Sequence, residues 1–491
     1  MLTVTTTTAS AVRSVFVCPT DVQKFISKFG TAAHLAILAV APLFLYPFCS
    51  GDTIATVTIW LSLPAAVWTL TEPSRRSSEM LHDARERVVH EVIRDPLLWI
   101  LLSVLAFAGL RWANSGIALV YDAEQTVWRI GQQPVPFFPG CTKGAGYGPF
   151  ATVLASTVLL TGCRHALGKS ARIAFLFSCS ALAGVAAVTA VVAGHFGHAG
   201  AQAAMACSTK TAAYAGSAYG LYFLAGVVSL VGAFECGWNK QMLLFSMAIG
   251  GSATGLYFFA PVPVIVLYLV AGAVVLLLCC GYAGVKLGGS VAFKCVAGMI
   301  LASFVPVLCV MGFASQELNE ARFSVFGADG RLFDETFFPL RDLLSRIAAK
   351  VWGEHPWIGT GLGSFPLDIR FNAVEADWGV LPPGQAGVMQ GWWQLLAERG
   401  ITGALTFVLV LGALGFAFVR RLCGGFRRRF FLPACALGPV ALIVVAVETF
   451  IDSSFMRADV MLCVGALFAL AGASFPQAKR KASDEGPGQA E

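Results

Sequence analysis

Charge is what this sequence has least of. Only 13% of its 491 residues are Asp, Glu, Lys or Arg, about half the share of an average soluble domain. That is too little to coat a water-facing surface, which excludes an ordinary soluble globule. Metal-ligand spacing is missing too. The 14 Cys include no Cys-x-x-Cys pair and no Cys/His ligand set, so no metal and no other cofactor is expected. The net charge of +6 is modest, and no nucleic-acid signature accompanies it. The N-terminus, with its Thr5-Thr6-Thr7-Thr8 run, lacks a basic start and an early apolar core, so no cleaved signal peptide is expected.

What is present is apolar sequence in long blocks. Hydrophobic residues make up 57% of the chain, and a helix needs roughly 20 of them in a row to cross the hydrocarbon core. Backbone in lipid must satisfy its own hydrogen bonds, so such blocks read as helices. Twelve spans are expected, near 31–49, 53–71, 96–111, 149–162, 173–194, 216–235, 242–260, 261–282, 295–313, 400–419, 431–451 and 458–474. The expected fold class is therefore all-α, a polytopic transmembrane helix bundle of about 12 spans. Cys279, Cys280, Cys309 and Cys463 fall inside these blocks as small packing residues.

Most of the 34 Lys and Arg lie in segments that share one side if both termini are cytoplasmic. The positive-inside rule assigns that side to the cytoplasm. The organisation is then a cytoplasmic segment 1–30, spans one to nine over 31–313, an extracytoplasmic loop 314–399, spans ten to twelve over 400–474, and a polar cytoplasmic tail 475–491 whose composition reads as disordered. Two shorter stretches, 112–148 and 195–215, also fall outside. Cys141 and Cys207 lie in them, in an oxidising setting if the cell has a periplasm, and could pair. No internal repeat of the kind transporters carry is visible.

The 86-residue loop is long enough to need structure of its own. A helix is expected from Pro339 through Trp352, with Leu343, Leu344, Ile347, Ala348 and Val351 spaced for one apolar face. Asp342 and Arg346 stand four apart, which suits an intrahelical ion pair. Arg341 and Arg346 lie about 140° apart around such a helix and do not share a face. His355-Pro356-Trp357-Ile358-Gly359-Thr360-Gly361-Leu362-Gly363-Ser364-Phe365 follows. Its alternating Gly predict a tight turn whose backbone approaches something closely. No strand precedes it, so a dinucleotide fingerprint is rejected. A second turn is expected at Pro382-Pro383-Gly384. Gln390 to Arg399 should then run as a helix straight into span ten. Gln390, Gln394 and Glu398 would form one stripe, either a solvated helix face or the wall of a polar cleft at the lipid surface.

These two stretches, the Pro356–Phe365 turn and Gln394-Leu395-Leu396-Ala397-Glu398-Arg399-Gly400-Ile401-Thr402-Gly403, resemble the bacterial O-antigen ligase / O-antigen polymerase family. The likeness covers roughly 331–403. It implies metal-independent glycosyl transfer outside the cytoplasm, in the bacterial inner membrane, as part of cell-surface polysaccharide or lipopolysaccharide assembly. The implied partners are a glycan donor on a polyprenyl (undecaprenyl) diphosphate, a lipid or glycan acceptor, and membrane lipids, with no nucleic acid. The turn residues of the motif are Pro356, Gly359, Gly361, Gly363 and Phe365. Arg331, Arg341 and Arg346 would contact the diphosphate, with Gln390, Gln394, Glu398 and Arg399 lining the substrate site. The chain departs from the family at two places. Met389-Gln390 stands where the family has a His, and Tyr257-Phe258-Phe259-Ala260-Pro261-Val262 carries no Arg where the family often has Ser-Arg. Met takes no proton, so candidate bases are His355, Glu375 and Asp377, with His195 and His198 as more distant substitutes. The same departures leave a second expectation open: a non-catalytic partner in glycan assembly, or a lipid-linked glycan transporter.

Overall fold

The computed structural model describes residues 19–71, 93, 96–114, 119–122, 127–130, 147–167, 169–202, 216–238, 241–260, 262–286, 288–313, 337–361, 364–373, 391–423, 432–451, 460, 462, 464, 466 and 467. The apolar blocks fold as helices. In chain order they are α1 (Pro19–Leu45), α2 (Gly51–Thr71), α3 (Pro96–Ala113), α4 (Tyr147–Thr161), α5 (Lys169–His195), α6 (Gly216–Glu235), α7 (Met242–Phe259), α8 (Val262–Lys286) and α9 (Gly289–Phe313). The loop supplies α10 (Phe337–Glu354) and α11 (Phe365–Asn372), and α12 (Gly391–Cys423) and α13 (Leu432–Ile451) complete the described helices. One short antiparallel hairpin, β1 (Leu119–Asp122) with β2 (Val127–Ile130), departs from the purely helical expectation; Tyr121 pairs with Trp128 and Asp122 with Val127. Cys141, Cys207 and most of the expected twelfth span lie outside the described residues.

Among the described residues, five helices are long and apolar enough to cross a membrane: Ala171–His195, Gly216–Phe234, Met242–Phe259, Pro263–Val285 and Gly289–Phe313. Shorter apolar helices occupy Gly30–Leu45, Gly51–Val67 and Leu98–Ala113. The outward faces of α8 and α9 carry exposed Leu269, Leu277, Val285, Phe293, Ile300, Phe304, Leu308 and Met311. A soluble monomer rarely exposes so continuous an apolar face. This is a multi-helix membrane protein.

Helix α6 is the axis of the bundle, enclosed by protein from 216 to 234 and packed against α5, α7 and α8. Apolar burial does not drive helices together in lipid, so close packing of small residues must. At the α5–α7 crossing a Cβ built on Gly184 would lie 3.0 Å from Gly251 Cα. One turn away, the Ser252 hydroxyl donates to Ser180 O at 2.8 Å. Any side chain at either glycine would force the helices apart.

The loop builds a second, smaller core. Leu340, Leu343, Leu344, Ile347, Ala348 and Val351 of α10 are buried against Phe365, Ile369 and Ala397. All five apolar positions expected from the 3.6-residue spacing are among them. The helix is longer than Pro339–Trp352 at both ends, because Phe337-Phe338 and Gly353-Glu354 continue it.

Candidate functional site

The two motifs, some forty residues apart in sequence, are one backbone structure. Helix α12 does not run straight through. Gly400 breaks it, with φ 62° and ψ −164°, a conformation essentially reserved for glycine. This corrects the expectation of a continuous helix from Gln390 into span ten. An unbroken helix would join the Ile401 and Thr402 amides to the Ala397 and Glu398 carbonyls. Those groups turn to the Gly-rich turn instead. Ile401 N–H donates to Pro356 O at 2.8 Å and Thr402 N–H to Trp357 O at 3.1 Å, while Thr360 and Gly361 N–H donate to Ala397 O and Glu398 O, each at 3.0 Å. Four bonds replace the two lost at the break. Broken backbone near a membrane is tolerated only when its polar groups are satisfied in this way.

The glycines explain themselves in this frame. Gly359 has φ 70°, and a Cβ there would meet Glu398 C at 2.4 Å. A Cβ on Gly400 would meet Trp357 C at 2.5 Å. The close approach expected of the turn is therefore to the chain itself, at the break in α12.

A third element holds the junction, and the sequence did not single it out. Arg111, near the end of α3, is 1% exposed. Its Nη1 donates to Glu398 O at 3.1 Å and its Nη2 to Ile358 O at 3.4 Å. The guanidinium carbon also lies 5.1 Å from the centre of the Phe107 ring, a cation–π contact. One planar fork thus bridges both motifs, a task for which Arg is suited and Lys is not. The end of α3 and the break in α12 therefore lie at the same level. The only advance signal was an Arg closing an otherwise apolar block.

Gln394 and Glu398 are 8% and 2% exposed, and Gln394 Nε2 donates to Glu398 Oε1 at 3.0 Å. They form a buried pair, so the solvated-face alternative does not hold. Gln394 Oε1 and Arg399 Nε are buried without a hydrogen-bond partner. Arg399 is half-buried and its stem runs over Gly403.

On the loop side, His355 ends α10 and is exposed; its carbonyl accepts Gly359 N–H at 3.0 Å. Phe365 is fully buried in the small core. Thr360, Ser364 and Asp368, at steps of four, share one cluster. The Thr360 hydroxyl donates to Asp368 Oδ2 at 2.7 Å and the Ser364 hydroxyl reaches the same oxygen at 3.1 Å. The two hydroxyls are 2.6 Å apart. Burial pushes the Asp368 carboxyl above the usual carboxylate range, while the two hydroxyls and His355 pull it back and Glu354 adds to the rise. Asp368 was not anticipated; it sits among Phe, Leu and Ile in the sequence and only the folded turn turns it inward.

The remaining expected residues are dispersed. Arg346 forms the i,i+4 pair with Asp342 at 3.2 Å, with both side chains about 70% exposed, a solvated contact worth a few tenths of a kcal/mol. Arg341 is half-buried at the edge of the apolar face, and its carbonyl accepts the Ser345 hydroxyl at 2.8 Å. His195 packs edge-on to Phe196 and Phe313, and His198 edge-on to Phe48. Phe258 and Phe259 are buried in the bundle. Arg331, Gly363, Glu375, Asp377, Met389 and Gln390 lie outside the described residues.

A different buried acid sits within the bundle. Glu448 of α13 is 1% exposed; it accepts the Ser217 hydroxyl of α6 and, at 2.9 Å, the Tyr268 hydroxyl of α8. No family model matches the chain, and no curated protein matches it.

Proposed function

We propose that this chain is a metal-independent glycosyltransferase of the O-antigen ligase/polymerase type in a bacterial inner membrane. It would span the membrane about twelve times, with both termini cytoplasmic and 314–399 outside. A glycan on undecaprenyl diphosphate would pass to a lipid or glycan acceptor. The acceptor hydroxyl attacks the anomeric carbon, the sugar–phosphate bond breaks, the carrier diphosphate leaves, and the hydroxyl proton goes to a base. His355, on the turn itself, is the best placed base among the described residues. A positioned general base contributes roughly 10²–10⁴-fold.

One observation carries this reading. The two sequence stretches that resemble the family interlock through four backbone bonds and one buried Arg. Such an irregular junction, its broken backbone hydrogen-bonded across the two motifs at the end of apolar helices, suits a site at a membrane surface. The loop as a whole holds seven Lys and Arg against eleven Asp and Glu, so general attraction cannot bind a diphosphate and individual Arg must. Arg331 and Arg341 are the assigned contacts. In membranes supplied with a lipid diphosphate-linked glycan, Arg341→Ala should lower donor use about 10-fold or more, the worth of one charge-assisted bond. Arg341→Lys should recover little, because the planar fork is lost. Unchanged transfer in Arg341→Ala removes that residue from the site.

The alternative, a non-catalytic partner or a lipid-linked glycan transporter, draws on Met389 and on Glu448, since ionisable groups buried among membrane helices often mark transport paths. It predicts lipid-linked glycan movement without transfer, and loss of that movement in Glu448→Gln.

A further inference from the structure

The exposed surface of the loop changes character at Pro356. Before it, at the end of α10, Glu354 and His355 are open. After it, Trp357 and Ile358 are 68% and 37% exposed. Neither apolar side chain can withdraw, because the backbone beneath is tied down. Pro356 O and Trp357 O accept the Ile401 and Thr402 amides, and Ile358 O accepts Arg111 Nη2. The indole N–H takes no partner among the described residues. A rigid, open indole is unfavourable in water.

The same bonds give the turn its height. Trp357 is joined to the first turn of α12 beyond the break, and the face that follows is apolar and open at Leu405, Val408 and Leu409. Thr402 and Thr406 fold their hydroxyls back onto Arg399 O and Thr402 O, at 3.2 and 2.8 Å. Hydroxyls facing lipid are satisfied in that way, within their own helix. On the other side of the junction, Trp112 follows Arg111 directly. It too is exposed, stacked on Phe150 with ring centres 5.1 Å apart and tilted against Tyr147. Two exposed Trp on separate elements thus flank one buried guanidinium, where α3 ends and the second half of α12 begins. Trp is enriched at the membrane–water boundary, its ring among acyl chains and its N–H among headgroups. An exposed Trp can also stack on a sugar ring, but the continuity of Trp357 with the open face of α12 favours lipid.

We propose that the Trp357-Ile358 edge of the turn inserts into the headgroup–acyl boundary of the phospholipid leaflet around α12. The indole N–H donates to a lipid ester or phosphate oxygen, and the junction is held at a fixed height on the bilayer. This rests on the reading of α12 as a membrane span. At that height a lipid-borne diphosphate meets the turn without leaving the leaflet.

Photo-crosslinking in the full-length protein tests the insertion. p-Benzoylphenylalanine replaces Trp357, Leu409 or Arg346 in turn. Each chain is irradiated in vesicles of phosphatidylethanolamine and phosphatidylglycerol, with and without the lipid diphosphate-linked glycan. Peptide masses should show phospholipid adducts at 357 and 409 and none at 346, which is solvated beside Asp342. Adducts at 409 but not at 357 overturn the insertion while the span stands. A glycan adduct at 357 in place of a lipid one overturns it in favour of sugar stacking. No adduct at 409 removes the span, and the insertion with it. Lipid adducts at 357 in a chain that transfers no glycan would end the glycosyltransferase reading and leave the insertion standing. A second measurement keeps an aromatic ring in the turn. Brominated phospholipids should quench the tryptophan fluorescence of the wild type more than that of Trp357→Phe. That difference should be larger with bromine near the carbonyl end of the acyl chain than near its methyl end. No difference, or one that grows toward the methyl end, overturns the insertion at the boundary.

Discussion

Two buried carboxylates, Glu398 and Glu448, invite comparison. Both are 1–2% exposed and both sit close to an end of an apolar helix. Glu448 lies within the regular helix α13, where the Ser217 and Tyr268 hydroxyls donate to it. Around Glu398 the backbone itself is rearranged, with Gly400 breaking α12 and the turn's amides and carbonyls completing the break. A carboxylate among intact helices can be explained as a brace joining α6, α8 and α13. The break in α12 is built for that geometry, since Gly400 accepts the conformation and four hydrogen bonds to a separate turn replace the two lost. That contrast is why the junction, and not Glu448, carries the functional proposal.

The contrast can be broken most sharply at Gly400 and Gly359. Alanine at either must adopt positive φ and place a Cβ about 2.5 Å from backbone carbon or nitrogen. The expected loss exceeds about 3 kcal/mol. It should appear as rapid proteolysis of 355–403 in membranes while the bundle stays intact. If Gly400→Ala is as resistant as wild type, the junction is not as described.

Arg111→Ala should follow at about 2–4 kcal/mol, two charge-assisted bonds from a buried guanidinium. Hydrogen exchange of the 355–361 peptide should speed up accordingly. Arg111→Lys should recover less than half of the protection, since one ammonium cannot span Glu398 O and Ile358 O together.

Glu448→Gln sharpens the other side. An amide oxygen still accepts one hydroxyl, so a brace predicts a loss of about 1 kcal/mol or less and glycan transfer near wild type. Complete loss of function with a stable fold would instead favour the transporter reading.

Asp368 gives a smaller, pH-dependent effect. Its carboxyl is held above the ordinary range, chiefly by burial. The folded turn therefore binds the proton more tightly than the unfolded chain. Its contribution is full at low pH and declines as pH rises from the ordinary carboxylate range through the raised folded value. Exchange of 355–373, corrected for intrinsic rates, should accelerate as pH rises above the ordinary carboxylate range. Asp368→Asn should flatten that slope. Smallest of all, Arg346→Ala should change stability by no more than about 0.5 kcal/mol, because its partner Asp342 is equally solvated.

The boundaries of many helices were legible in advance because lipid leaves the backbone few options. The expected 216–235 matches α6, and 431–451 matches α13 to within a residue. The apolar face of α10 was equally legible, since a 3.6-residue spacing admits one buried side. The hairpin β1–β2 was not, for its strands are four residues each and too short to show a period. At the site, the sequence located the turn and the Gln394–Glu398 stripe but misjudged how they meet. Alternating glycines announce a close approach without saying to what.

Composition and block length by themselves determined that this is a membrane protein of packed helices, because so little charge and so much contiguous apolar sequence have no other stable arrangement. The motif spacing determined where the chain turns. Only the tertiary structure decided that the turn closes on the break in α12, that Arg111 reaches across from α3, and that Asp368 turns back onto Thr360. Those outcomes depend on hydrogen-bond partners well separated in the chain, and no local pattern encodes a partner that the fold alone brings near.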